Sequence, residues 1–486
     1  MLLLNKNLKM KKQVIVITDL GGGDGGKGGV VHSLCSHYNA HTVVKVGGAQ
    51  GSHGVHTSKG ESFNFSQFGC GTFDGVRTHI SNLMVVEPFS FLEEGNKLMY
   101  EWGIREAFNL VTLDERVLCV TPYHTFASRL KELARKDSPK GTVGVGVGEA
   151  FLDQDLGKSH SIYVRDIHKS KFKKKLKRIR DKKISEVQYL IDNPEEGFKE
   201  EDLDLAKEQI RLMLGKNLFD LTVQEFETMC KLVKVVDDNY LYEEILSKDG
   251  MVVVESSHGI LTDRYNGFYP NVSRLRTTPN RVIDMIKARG YDGDVKLLGV
   301  TRAFQIRHGA GPMVTESSEL LDQLLPGSNK DENRWQGRVR VGPLDFVSLR
   351  YSIGVCGGPE AFYGIAVTWF DQVESVGKWD LCDSYINAND SVLFDSKGII
   401  IRQGVDEDQL IHQTKLSNAL KECRPEVSSI DLTPYSKEED LIQLCSEVIQ
   451  DKTGVTVRMI SFGPNEDHKT WLGENNFQTI KTVINH

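Results

Sequence analysis

A chain of 486 residues is longer than most single domains but within the range of large α/β folds. Its 60 Lys and Arg against 67 Asp and Glu give a net charge of −7, which argues against a general nucleic-acid binder. Eight cysteines with no CxxC pair read as reduced cytoplasmic thiols rather than a zinc site, and no apolar stretch is long enough to cross a membrane.

Residues 1–13 have too short an apolar part for a signal peptide and are read as an N-terminal extension, with Met10 an alternative start. The β-branched run Val14–Ile17 predicts a buried strand. Seven glycines, Asp24 and Lys27 follow, and a helical pattern begins at Val30, Val31 and Leu34. Strand, glycine turn and helix start make a phosphate cradle, because glycines admit the anion and the helix N-terminus presents free N–H groups. Gly21-x4-Gly26-Lys27 has the spacing of a Walker A loop, but Gly28 stands where a hydroxyl would hold magnesium. Asp24 is then the candidate metal ligand.

His41–Val46 predicts a second strand that runs into a second glycine-rich turn, Gly47–His56, which carries His53 and His56. Residues 165–245 are charged and helix-compatible, and the basic run His168–Lys183 is read as a solvated helical face. Met251–Val254 and Ile365–Phe370 predict two more strands, the first ending in Glu255-Ser256-Ser257-His258-Gly259 and the second in Asp371. Four apolar runs that end in glycine or polar residues predict an α/β fold. The expectation is a single domain over 14–486, with a large mostly parallel central sheet and helical insertions.

From the second loop onward the chain resembles the adenylosuccinate synthetases. Their first loop, Gly-Asp-Glu-Gly-Lys-Gly-Lys, is similar to Gly23-Asp24-Gly25-Gly26-Lys27-Gly28-Gly29. Their second, Gln-Gly-Gly-x-Asn-Ala-Gly-His-Thr, is similar to Val46-Gly47-Gly48-Ala49-Gln50-Gly51-Ser52-His53-Gly54. Ser81–Pro88, Gly141–Gly148, Gly267–Pro270, Ser273–Thr278, Gly337–Gly342 and Ser461–Pro464 continue in the family's order. The most specific single match is Gly309–Glu316, GAGPMVTE against Gly-Ala-Gly-Pro-Phe-Pro-Thr-Glu.

The resemblance implies a fold related to the P-loop NTPases, a homodimer, and a ligase that joins L-aspartate to the 6-position of a purine nucleotide. It implies Mg2+, a GTP or ATP donor and a 6-phosphoryl intermediate. By position Asp24 resembles the base and a metal ligand, with the Ser52 backbone carbonyl a second ligand, and His53 resembles the acid at the γ-phosphoryl. Gly23, Gly25, Gly26, Lys27, Gly28, Ser52, Asp371 and Gly463 match triphosphate-binding positions. Gln50, Val143, His258, Ser273, Arg274 and Arg276 match the acceptor-nucleotide pocket. Thr315, Arg338 and Arg340 match the aspartate site, where arginine's fork suits a carboxylate.

Several positions depart from the family pattern. The Thr and Arg of Gly-Thr-Thr-Gly-Arg-Gly are Val143 and Val145, and the Ala-Arg-Arg-Gly segment contributed across the dimer is Lys158-Ser159-His160-Ser161. The family's IMP-contacting Gln is His258, its second-loop Asn is Gln50, and Gly25 and Gly29 replace a Glu and a Lys. The Lys over guanine is Trp369, which can stack on any purine and implies relaxed donor choice. Arg274 and Arg276 replace a Ser and an Asn. The expectation is a poor fit to IMP and a better one to another 6-oxopurine nucleotide, deoxy or more highly phosphorylated. The alternative is a catalytically inactive nucleotide-binding sensor or partner subunit; retention of Asp24, Lys27, His53, Arg338 and Arg340 favours the enzyme.

Overall fold

The computed structural model describes residues 11–38, 40–325 and 335–473. Met10 and most of the predicted N-terminal extension lie outside these residues, and Gln13 already belongs to the first strand. Among the described residues eleven strands form the main sheet. In chain order they are β1 (Gln13–Asp19), β2 (Ala40–Gly48), β3 (Arg77–Val86), β4 (Val111–Asp114), β5 (Leu118–Cys119) and β6 (Lys234–Val236). The rest are β7 (Met251–Gly259), β8 (Asp294–Arg302), β9 (Gly364–Thr368), β10 (Val457–Ser461) and β11 (Lys469–Trp471). Across the sheet the order is β11-β10-β9-β8-β1-β7-β2-β3-β4-β6, with β5 paired to the end of β3. Every pair is parallel except β10 with β11.

β1 lies at the centre because it is apolar on both faces. Ile15 and Ile17 enter one core layer with Val30, Val31 and Leu34 of helix α1 (Lys27–Tyr38), while Val14 and Val16 enter the other. A continuous apolar run is what a strand covered on both sides requires, and each such side chain contributes about 1.5–3 kcal/mol on burial. The four predicted strands all belong to this sheet, so the predicted parallel architecture is observed. One boundary is corrected: β9 stops at Thr368, because Trp369 adopts φ 60 and Phe370 starts the helix Phe370–Val376. β8, unassigned from sequence, lies directly beside β1.

Helices at Phe172–Glu186, Leu203–Met213 and Leu218–Leu232 occupy the charged segment. The basic run is only partly solvated. Phe172, Leu176 and Ile179 enter the core, and the buried Lys183 is held by Glu149 at 2.8 Å and Asp153 at 2.9 Å. All eight cysteines are buried and unpaired by disulfides. No helix among the described residues is long and apolar enough to cross a membrane. Because the strands run one way, the carboxyl ends of β1, β2, β7, β8 and β9 share one crest, where open α/β sheets bind ligands.

Candidate active site

The first loop folds around a carboxylate that the sequence reading missed. Asp19, buried at the end of β1, accepts from the Gly21 and Gly25 N–H groups at 2.9 and 2.8 Å and from Lys27 Nζ at 2.7 Å. Lys27, expected on the phosphates, thus has one donor committed to Asp19. The signal for Asp19 was an acid at the strand end, one residue removed from the glycine run. Gly28 is required by close approach: a Cβ there would lie 2.6 Å from the Gly54 carbonyl oxygen, so the two loops touch.

Gly29 is required for a different reason. A Cβ there would meet Lys469 Cε at 2.9 Å. Lys469 reaches over the first turn of α1 from β11, donating to the Pro464 and Asn465 carbonyls at 3.1 and 2.6 Å. A lysine absent from the first loop is therefore replaced in space by one from the end of the sheet. Burial pulls Lys469 down to about 8, against Glu466 and Asp371. Its charge is present below that value and lost above it. The KM for the nucleoside triphosphate is expected to rise between pH 7 and 9 in the wild type and to stay flat in Lys469→Arg, whose guanidinium does not titrate there. Equal pH dependence in both would mean that Lys469 does not contact the triphosphate.

The second loop brings in His53. Its Nδ1 lies 2.5 Å from Glu255 Oε1 on β7, and Lys45 Nζ of β2 lies 2.7 Å from the same oxygen. The Cys70 N–H donates to Glu255 Oε2 at 3.0 Å. Glu255 is fully buried. Burial would raise its pKa, but Lys45 and His53 outweigh that and hold it below the carboxylate range. An ionised Glu255 can only accept, so Nδ1 of His53 donates and Nε2 is the ring nitrogen left for substrate. Burial draws His53 below its usual value, Glu255 opposes this, and Lys45 and Lys27 add to it. The ligand atoms of His53, Cys70 and Glu255 lie within 4.8 Å of one another, as in a metal cluster. Lys45 already neutralises the carboxylate, and burial keeps the Cys70 thiol protonated, so the cluster reads as a hydrogen-bond network.

Asp24 sits in the first loop at φ 59, a left-handed conformation that aspartate tolerates. Its carboxylate contacts His308 Nδ1, and its backbone carbonyl accepts from Arg302 Nε at 2.5 Å. Burial would raise the pKa of Asp24, but His308, Arg302 and Lys27 hold it well below the carboxylate range. Arg302 also stacks over the Trp369 ring at 4.1 Å, so one face of the indole expected to receive a purine is covered. Arg302 Nη1 is buried without a hydrogen-bond partner. Neither Arg302 nor His308 carries a sequence signal, since register alone brings them here. Asp371 opens the helix after Trp369 and accepts from Gln372 Nε2 at 2.6 Å. Gly463 sits in the turn after β10, with its carbonyl bonded to Ser461 Oγ at 2.8 Å. Ser52 is exposed and Gly26 accepts from the Val30 N–H.

Among the acceptor residues, Gln50 Nε2 and His258 Nε2 meet at 2.8 Å. Burial brings His258 down to about 4, with Lys27 and His53 pushing the same way and Asp24 and Asp19 against. A Cβ on Gly259, the next residue, would lie 2.2 Å from the Gly21 carbonyl oxygen, so the end of β7 touches the first loop while Gln50 of the second loop reaches His258. Ser273 Oγ accepts from the Leu275 N–H at 3.2 Å, and Val145 packs against the apolar cluster of Val85, Leu118 and Val147. Arg274 and Arg276 line an adjoining cavity that Gln50, Val143, His258 and Ser273 do not line.

Of the residues expected to hold aspartate, Arg340 lies on an antiparallel ribbon of Gln305–His308 and Val339–Gly342, and Thr315 packs against Gly342 of that ribbon. Arg340 is not an open clamp: Nη1 lies 2.8 Å from Glu316, and Nη2 donates to the Gly309 and Gly311 carbonyls. Its Nε and the Thr315 hydroxyl are buried without partners. Arg338 directly precedes the ribbon, and the Gly309 N–H donates to its carbonyl at 3.0 Å.

A glycine loop at a strand–helix turn, a carboxylate within it and a carboxylate-backed histidine facing it define a nucleotide-dependent group-transfer enzyme of the α/β class. The adenylosuccinate synthetase family model matches residues 16–470. The chain belongs to the adenylosuccinate synthetase family and is a C–N ligase. It is 27% identical over 470 residues to the adenylosuccinate synthetase of Chlorobium chlorochromatii, covering 95% of this chain and 98% of that one. It is also 27% identical over 459 residues to that of Thioalkalivibrio sulfidiphilus, covering 92% and 95%. Its fold is similar to the fully ligated adenylosuccinate synthetase of Plasmodium falciparum, with TM-score 0.73, 17% identity and coverage of 94% and 99%. It is also similar to the cyanophage S-2L succinoaminodeoxyadenylate synthetase bound to dGMP and dATP, with TM-score 0.57, 14% identity and 95% of both chains.

Proposed function

We propose that the protein joins L-aspartate to the 6-position of a 6-oxopurine nucleotide, driven by GTP or ATP, as a homodimer of the cytoplasm. The observation that carries this is the meeting of the two glycine loops with the end of β7: Gly28 lies against His53 and the Gly54 carbonyl, Gly259 lies against Gly21 and Gly23, and Glu255 holds His53. Asp24 takes the proton from N1 of the purine. The freed 6-oxygen attacks the γ-phosphorus, and the nucleoside diphosphate leaves. The α-amine of aspartate then attacks C6 and displaces inorganic phosphate. A ring oxygen is a poor leaving group and phosphate is a good one, which is why the triphosphate is spent.

His53 Nε2 faces the transferring phosphoryl, and Glu255 behind it stabilises the imidazolium that gives up a proton there. Lys27, Lys469 and the loop N–H groups hold the other phosphates. Asp24, kept ionised, and the Ser52 carbonyl are hard oxygen donors that fit Mg2+, which when bound neutralises phosphate charge. Arg340 Nε, the Thr315 hydroxyl and Arg338 receive the aspartate carboxylates. Asp371 accepts from a guanine edge and favours GTP, while Trp369, braced by Arg302, stacks on any purine and relaxes that preference toward ATP. The phage relative's dGMP and dATP support an acceptor other than IMP and an adenine donor.

The test is a screen of purified protein with aspartate, Mg2+ and ATP, GTP, dATP or dGTP against IMP, dIMP, GMP, dGMP, ITP and free nucleosides, read by product mass. A succinyl adduct is expected from an acceptor other than IMP. Arg274→Ala with Arg276→Ala is expected to raise that acceptor's KM about tenfold to a hundredfold, the loss of two charged hydrogen bonds, and to leave the KM for aspartate nearly unchanged. Absence of any aspartate adduct would overturn the ligase reading.

A further inference from the structure

A cavity of about 200 Å3 opens beside the carboxyl ends of β1, β2 and β7. Thr18, Gly47, Ser256 and Ser257 form part of its wall, so it adjoins the pocket around His258. Five arginines line it, Arg116, Arg264, Arg274, Arg276 and Arg281, against a single carboxylate, Asp155.

Two of the five are answered by acids. Arg116 bonds to Asp114 at 2.6 Å and Asp238 at 3.4 Å, and Arg264 lies 3.4 Å from Asp155. No carboxylate among the described residues forms an ion pair with Arg274, Arg276 or Arg281. Like charges act within this group and beside it: Arg281 is pulled below its usual value by partial burial and then by Arg276, with Asp263 opposing, and Lys140 by burial and then by Arg274. Arg276 is braced by the Tyr265 ring at 6.0 Å, which holds its fork without using its hydrogen-bond donors.

Like charges kept together at a cavity mouth favour a ligand of opposite charge. One phosphate monoester carries about −1.5 to −2 at neutral pH and is matched by two guanidiniums. A third unanswered arginine, with Arg264 half-answered beside it, is in excess for a monophosphate. The usual grip on a monophosphate is also weakened, since Val143 and Val145 cannot donate hydrogen bonds and Val145 is packed into an apolar cluster.

We infer that the acceptor is a 6-oxopurine nucleoside 5′-polyphosphate, a di- or triphosphate, with its distal phosphates among Arg274, Arg276 and Arg281. The inference rests on the ligase reading above. It places the enzyme after a reaction that phosphorylates the nucleotide rather than before one.

The test compares inosine, IMP, IDP and ITP, and in parallel guanosine, GMP, GDP and GTP, as acceptors with aspartate and ATP or GTP as donor. Adducts are assigned by mass, which separates the acceptor from a triphosphate consumed as donor. The di- or triphosphate is expected to exceed the monophosphate at least tenfold in kcat/KM, and the two arms show which. Arg276→Ala with Arg281→Ala is expected to reduce that ratio about tenfold, and the double lysine variant to restore part of it. Both residues stand at the open mouth of the cavity and neither belongs to an apolar core cluster, so folding is preserved. A monophosphate preference, or a ratio unmoved by the alanine pair, overturns this inference and leaves the ligase intact. Absence of an aspartate adduct with every acceptor overturns the ligase reading and this one with it.

Discussion

Asp24→Asn is expected to lower aspartate-dependent phosphate release by about a thousandfold or more, while triphosphate binding and thermal stability stay near wild type. The substitution removes charge and basicity but keeps shape. Asparagine tolerates the φ 59 that this position adopts, whereas alanine would add backbone strain of about 1–2 kcal/mol and confuse the readout. General-base catalysis supplies about 10²–10⁴ in rate, and loss of the ionised metal ligand adds to that. His53→Ala is expected to fall in the same range if His53 is, as proposed, the proton donor at the phosphoryl. The checks are phosphate release with and without aspartate, nucleotide binding measured by calorimetry, and a melting curve. Unchanged turnover in Asp24→Asn would take the base away from this residue.

Local signals made much of this molecule legible. Val14–Ile17 is apolar without interruption, and only a strand covered on both faces uses four such residues in succession. The glycines after it announced a cradle because few other structures need so many. The candidate residues at strand ends were singled out for the same reason, since Asp371 follows the apolar run of Ile365–Phe370 and His258 lies just beyond that of Met251–Val254. What stayed hidden depends on register. Lys45 and Glu255 are 210 residues apart and meet because β2 and β7 are neighbours with those two residues paired. His308 reaches Asp24, and Arg302 covers Trp369, through a ribbon and a strand that have no motif of their own. Lys469 fills the place above Gly29 from the far edge of the sheet. Arg340 carried the right residue type for a clamp, but a sequence does not show that Glu316 and two carbonyls already hold it.

Glu255→Ala is expected to destabilise the fold by about 3–5 kcal/mol, because it leaves Lys45 as a buried cation with no counter-charge. Glu255→Gln keeps the volume and one acceptor and should cost less stability. It nevertheless removes the charge that fixes the His53 tautomer and stabilises its imidazolium. Its aspartate-dependent turnover is therefore expected to fall about 10–100-fold while the protein remains folded, as when a carboxylate behind a functional histidine is lost. The pH dependence separates the charge from the packing. The folded pKa of Glu255 lies below its unfolded value, so its contribution is present above the ordinary carboxylate range and fades as pH falls toward the lowered value. The wild type should lose stability between about pH 5 and 3 more steeply than Glu255→Gln, which has nothing to protonate at this position. A third variant tests the pair itself. Lys45→Met combined with Glu255→Gln removes both charges together, and it should be more stable than the sum of the single losses predicts, since neither charge is then left alone in the core. Simple additivity in denaturant melts, with acid profiles of wild type and Glu255→Gln that run parallel, would mean that the carboxylate is not ionised in the folded protein. His53 would then need another group to hold its proton in place.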